Sequence, residues 1–425
     1  MLARLSILRT RLVSRWGALS GLESDAALYG ASAAFALALG WTSREPAQWH
    51  WGYLAFGPYT LIALVALALS RVRLRRVTIT RIGLLVLVLF GAVAVPLGLE
   101  VRWRQLDHGV GFAQPEVSVI ERSGKLLSEG VDPYHSYVRH GRVINQVPGV
   151  PAYESFFPYF PLMSVFGLPS AETHKSKGLT DARIVMTLVT LMVSVGALAL
   201  LRSSQDKKIR VAQFLLALPT GALFLSTGGD DMPILALLLL GIVALQRRRV
   251  NLAGISFGLA AAMKLTAWPV AVGALLVARD EFDYLAWRRL ASWIAAIVLV
   301  TVTPFAWHAP WAFMSNVFEF PLGLAGVASP AASALPGHIL TTWWPPLGHV
   351  LAPLTLLIGG YFVAKYVRAA WPMTLPKILR LLSISFAVMI CVASATRVGY
   401  LIYPLNFALW SWALQDERVL TPVLV

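Results

Sequence analysis

Apolar runs of about span length alternate with short basic connectors along this chain, and one long polar passage, Leu106 to Asp181, interrupts them. Before that passage the pattern predicts membrane spans near residues 26–42, 51–70 and 82–101; after it, near 182–201, 210–226 and 232–246. The stretch between Arg247–Arg249 and Arg279–Arg289 is too short for two full crossings of about 20 residues each. Two half-spans that fold back near Lys264 to Pro269 fit it better than one long helix. Spans near 290–308, 346–365, 378–396 and 399–415 complete the pattern. The expected fold class is an all-α polytopic membrane protein of about twelve crossings, with ten to thirteen compatible with the pattern.

Composition agrees. The 425 residues are 57% hydrophobic and 13% charged, against about 25% charged in ordinary soluble domains. A single cysteine, Cys391, lies in an apolar run, which excludes a disulfide framework and a cysteine-based metal site. The net charge of +15 raises the question of nucleic acid, and its distribution answers it. Of the 36 Lys and Arg, 23 fall in six clusters beside apolar spans, as the positive-inside rule expects, so no nucleic-acid partner is needed. Residues 1–24 carry Arg4, Arg9, Arg11 and Arg15 among leucines and read as a cytoplasmic amphipathic start. With that end inside, the third span leaves the chain outside. Residues 102–181 then form an extracytoplasmic loop holding the candidate active site, and residues 309–344 a second one, within a single integral membrane domain of residues 1–425.

The long loop reads as helix, turn, helix. Pro115 suits a first helical turn, Val117, Ile120, Gly124 and Leu127 recur at helical spacing, and Gly130 is a stop. Asp132-Pro133-Tyr134 then forces a turn that shapes the loop. Phe156 to Leu168 is apolar but proline-broken and too short to span, so it is expected to lie in the interface or re-enter as a floor for a lipid chain.

Glu116 is the leading candidate for a catalytic base, because the first turn of a helix favours an ionised carboxylate. Asp107, beside His108, and Glu121 are its backups; Glu121 and Lys125, four apart, also fit a pair on a solvated face. Asp230-Asp231 either cap the following span or meet an acceptor hydroxyl. Lys264 costs about 2.5–3.5 kcal/mol to insert in an apolar stretch, so it should face a cavity or a partner. Lys264, Arg397 and His338 are the candidates for binding a phosphate, and Tyr159 and Tyr400 for shaping the acceptor side. No spacing resembles a tight metal site, and no cofactor motif occurs.

Glu116 through GVDPY, FPYFPLMSVFGLP, LSTGGDDMPILALLLL, GLAAAMKLTAWP and RVGYLIYP together resemble integral-membrane GT-C glycosyltransferases, specifically glycosyltransferase family 87, which includes polyprenol-phosphate-mannose-dependent mannosyltransferases. The resemblance implies a GT-C-like fold in a bacterial plasma membrane. It also implies a polyprenyl-phosphate sugar donor, a lipid or glycan acceptor among membrane lipids, and inversion assisted by an acidic residue of the first large external loop. That acid is typically Asp, about fourteen residues before the Gly of the G-x-D-P-Y turn; here the register gives Glu116, one methylene longer. Two further readings share these features: a transporter or flippase for a lipid-linked anion, given the paired half-spans, and a non-catalytic lipid-sugar-binding scaffold of a cell-envelope complex.

Overall fold

The computed structural model describes residues 20–106, 111–172, 178–328 and 330–415. The amphipathic start through residue 19 and the backup acid Asp107 lie outside them. The described residues open with α1 (Gly21–Thr42), α2 (Pro46–Ser70), α3 (Val77–Leu106) and α4 (Pro115–Ser128), then a hairpin of β1 (Tyr137–Arg139) and β2 (Arg142–Ile144). Next come α5 (Ala182–Leu200), α6 (Gln205–Thr227), α7 (Asp231–Gln246), α8 (Val250–Ala261) and α9 (Trp268–Glu281). The last are α10 (Tyr284–His308), α11 (Leu347–Ala370), α12 (Leu375–Val392) and α13 (Ile402–Ala413). Among the described residues, six helices are long and apolar enough to cross a membrane: α2, α3, α5, α6, α10 and α12. The shorter apolar α7 and α8 add to them, and the protein is an almost entirely helical membrane protein.

The chain folds as two compact units. The first contains α1 to α3 and, from later in the chain, α6. Small residues let its helices meet backbone to backbone, as membrane helices favour: a Cβ on Gly52 of α2 would come within 2.6 Å of the Ala36 carbonyl of α1. Arg81, expected in a basic connector, is instead 1% exposed. Its guanidinium donates to both carboxylate oxygens of Asp25, at 2.6 and 3.0 Å, and also to Asp206. Gln213 donates to Asp25 at 3.0 Å and to Tyr29 at 2.9 Å, so polar bonds tie α1, α3 and α6 together. A charge this deep persists because each of its three nitrogens meets a carboxylate.

The second unit contains α4, the hairpin, α5 and α7 to α13. Its centre is α7, buried almost along its whole length and packed against α5 and α8. By contrast, α11 buries none of its described side chains. Where two half-spans were expected, the chain forms the helices α8 and α9, joined by a tight turn over 262–267.

α4 matches its sequence signals. Pro115 occupies the first turn, and the helix ends with Gly130 at φ +72°. The Val131 and Gly130 amides bond back to the Leu126 and Leu127 carbonyls, a Schellman end that needs glycine at this position. Beyond Asp132-Pro133-Tyr134 the chain forms the β1–β2 hairpin around His140-Gly141, both at positive φ, where no strand was expected. Residues of Phe156 to Leu168 that were expected to floor a lipid groove instead turn inward. Phe156, Phe157, Phe160, Met163 and Phe166 are all buried in the unit's own core. Hydropathy does not distinguish lipid from protein as the apolar neighbour.

This segment crosses α4 at glycine on glycine. A Cβ on Gly124 would lie 2.3 Å from the Gly167 carbonyl carbon, and one on Gly167 would lie 2.1 Å from the Ile120 carbonyl oxygen. Gly124→Val should therefore lower stability by the ~1–3 kcal/mol typical of overpacking. Gly196→Ala in α5, where an added methyl meets nothing within 4 Å, should stay within about 0.5 kcal/mol of the parent. Thermal unfolding in detergent measures both.

Candidate active site

Four stretches far apart in sequence supply one cluster in the second unit: the start of α4, the loop before α7, the α8–α9 turn and the segment leading into α13. The Phe160 amide donates to the Met263 carbonyl at 2.9 Å and the Leu162 amide to Ala262 at 3.2 Å, which fixes the 156–162 chain on the α8–α9 turn. Gly228, at φ +103°, lies so close to α4 that a Cβ there would meet the Val117 side chain at 2.1 Å. These approaches bring Asp230, Asp231, Lys264 and Glu116 to one place.

Lys264 is the centre of the cluster. Its Nζ donates to Asp230 Oδ2 and to Asp231 Oδ1, each at 2.5 Å, and lies 5.5 Å from the Tyr159 ring centre and 5.8 Å from that of Tyr400. Burial opposes its charge, but Asp230 and Asp231 outweigh burial and hold the ammonium well above the ordinary lysine range. Burial is also the main cause raising the Asp230 carboxyl, with Lys264 pulling the other way. Asp231 Oδ1 additionally accepts from the Tyr403 hydroxyl at 2.6 Å, and that hydroxyl is 2.9 Å from Thr266 Oγ1. Neither aspartate caps α7 through its side chain; both face Lys264 instead.

Glu116 lies on the other side of this group. Its Oε1 accepts from Arg397 Nη1, while its Oε2 is covered and makes no hydrogen bond to the described residues. Arg397 is the more open cation, its side chain 28% exposed against 13% for Lys264. Burial works against its charge, and Glu116 more than compensates, which raises its pKa. The backbone around Arg397 is braced by residues 332 and 333: Thr396 bridges Ala332, and the Val398 amide donates to Ser333 Oγ at 3.1 Å.

The remaining candidates sit around this cluster. A ring nitrogen of His338 lies 2.9 Å from the Ser394 carbonyl, so His338 supports the segment leading to Arg397 without a described bond to the cluster itself. Glu121 Oε1 accepts from the Ala182 amide at the start of α5, and Lys125 approaches Glu129, at 3.8 Å. Asp132 Oδ1 accepts from the Tyr134 amide at 2.9 Å, and burial raises its carboxyl. Tyr134 donates to the Tyr159 carbonyl at 2.8 Å, which joins the loop turn to the wall of the site. Sequence reasoning missed Tyr403 and Thr266. The YLIYP motif held Tyr403, but nothing in one dimension pointed it at Asp231.

The cluster contains three carboxylates and two cations under buried tyrosines, and no group of His, Cys, Asp and Glu among the described residues is arranged to hold a metal ion. An ionised carboxylate beside a guanidinium can take a proton and stabilise a leaving anion, which are the needs of group transfer from a phosphate ester. The fold and site therefore define a membrane protein equipped for transfer chemistry. A family model for glycosyltransferase family 87 matches residues 157–395, more than half of the chain, and the chain belongs to that family. It is a glycosyltransferase. No curated protein matches it. The matched range contains Tyr159, Asp230, Asp231, Lys264 and His338; Glu116, Arg397 and Tyr400 lie outside it.

Lys264→Met would leave two carboxylates facing each other in a mostly buried place. It is expected to destabilise the protein by about 3–5 kcal/mol, and adding Asp230→Asn and Asp231→Asn should recover much of that loss. Denaturant or thermal unfolding of the three variants checks both.

Proposed function

We propose that this protein transfers a sugar, a hexose or pentose, from a polyprenyl-phosphate donor to a hydroxyl of a lipid or glycan acceptor. The reaction is placed at the extracytoplasmic face of a bacterial plasma membrane, in a GT-C-like fold of about twelve crossings. The observation that carries the reading is the Glu116–Arg397 pair, which sets a base and an anion-stabilising cation side by side.

In the step, the acceptor oxygen attacks the anomeric carbon from the face opposite the phosphate and inverts it. Glu116 takes the hydroxyl proton, the bond from the anomeric carbon to the phosphate oxygen breaks, and the electron pair leaves on polyprenyl phosphate. The leaving group is already an acidic phosphate, so it needs electrostatic stabilisation and no general acid. One carboxylate therefore suffices where a glycosidase uses two. Arg397 stabilises the charge that builds on the leaving phosphate, and its planar guanidinium suits two phosphate oxygens. Lys264, already neutralised by Asp230 and Asp231, holds the floor in place beneath them.

Incubating the detergent-solubilised protein with radiolabelled polyprenyl-phosphate sugars and a membrane-lipid extract should give a labelled lipid or glycan product. Glu116→Gln should lower that rate by about a hundred- to ten-thousand-fold, the usual contribution of a general base. Transfer that survives the substitution rules out Glu116 in this role.

A further inference from the structure

The base is latched in the structure described here. Glu116 Oε1 is held by Arg397, and Glu116 Oε2 is covered, so neither oxygen is presented to an incoming hydroxyl. Something must take Arg397 away from the carboxylate before proton transfer can begin.

An anion is the natural competitor, and the two cations of the cluster differ in how they can receive one. Lys264 already has two carboxylates at 2.5 Å and a tyrosine ring on either flank, and its side chain is 13% exposed. Arg397 has a single carboxylate partner among the described residues, bonded through one terminal nitrogen, and is about twice as exposed. A guanidinium carries five N–H donors in a planar fork, so the remaining donors of Arg397 match a second anion with two oxygens in one plane.

Building on the function proposed above, we propose that Arg397 is shared between Glu116 and the donor phosphate. Arrival of the phosphate draws the guanidinium off Glu116 and frees the base, so donor binds before the acceptor is activated. The same guanidinium then lies where negative charge accumulates as the anomeric carbon–oxygen bond breaks. One residue thus couples donor occupancy to base availability, and an acceptor that enters first meets a carboxylate that is already engaged.

The test is binding of a polyprenyl monophosphate, the leaving group, to the full chain in detergent, followed by intrinsic tryptophan fluorescence or calorimetry. If Glu116 and phosphate compete for Arg397, Glu116→Gln binds the ligand roughly tenfold tighter than the parent, equivalent to about 1.4 kcal/mol, although it has lost its base. Glu116→Asp, which keeps the charge on a shorter arm, falls between them. Arg397→Gln binds weakly, and adding Glu116→Gln to it restores nothing. Asp231→Asn, which removes a different carboxylate of the same cluster, gives a much smaller gain. An equal gain for Asp231→Asn and Glu116→Gln would show general charge relief and overturn the latch. Equal affinities in the parent and Glu116→Gln overturn the latch while leaving the donor assignment standing. Absence of binding to every folded variant overturns both.

Discussion

The site depends on one constraint: an ammonium inside apolar surroundings must be answered by acids close at hand. Lys264 sits on the turn between two half-spans, and its two answers come from the loop before α7, more than thirty positions earlier in the chain. Satisfying it fixes three things together. The α8–α9 turn is drawn to the start of α7; the 156–162 segment docks on that turn through the Phe160 and Leu162 amides; and Tyr403 is oriented by the same Asp231 oxygen that Lys264 meets. The tyrosine walls and the position of α4 follow from these contacts, since α4 lies on the 161–167 turn at Gly124 and on Gly228 at Val117.

What could be read from the sequence was what depends on local chemistry. α4 was visible from Pro115 to Gly130 because a helix start and a Schellman end are built from neighbouring residues. The half-spans were visible because two basic clusters stood too close together for two full crossings. Lys264 was visible as a costly charge, and the partner it required is present. The identity of that partner was not visible. Asp230 and Asp231 read locally as a helix cap or as a place for an acceptor hydroxyl, and only the fold turns both toward Lys264. Glu116 and Arg397 are separated by 281 positions, so their pairing is a product of topology alone. The same limit explains Phe156 to Leu168, whose apolar side chains fit lipid or protein equally and found protein, and Arg81, whose neighbours in a basic connector concealed a buried partner in Asp25.

The two units use buried charge differently. In the first, Arg81 is buried against Asp25 and also meets the largely exposed Asp206, and Gln213 and Tyr29 complete the network. Such a network fixes which helices meet and in which register, the best attested use of buried ionic groups. In the second, the Arg183–Asp181 pair is just as buried, whereas the cluster of Glu116, Asp230, Asp231, Lys264 and Arg397 is only partly enclosed. Arg397 keeps more than a quarter of its side-chain surface open and has donors to spare. Enclosure separates a structural network from a working one more clearly than residue type does.

That contrast bears on how a net-negative cluster can serve a reaction that begins with an anion. Glu116, Asp230 and Asp231 outnumber Lys264 and Arg397 by one, so a phosphate approaching the group as a whole would be repelled. Pairing confines that surplus to Lys264 and its two acids, and leaves the Glu116–Arg397 pair neutral. In the proposed reaction the phosphate would meet the partly exposed Arg397 guanidinium, whose carboxylate partner among the described residues is Glu116. Exchanging one anion for another on Arg397 leaves the number of contacts on the cation unchanged, so donor binding need not be strongly uphill. In the reaction proposed above, a carboxylate released this way would be available as base only when donor is present.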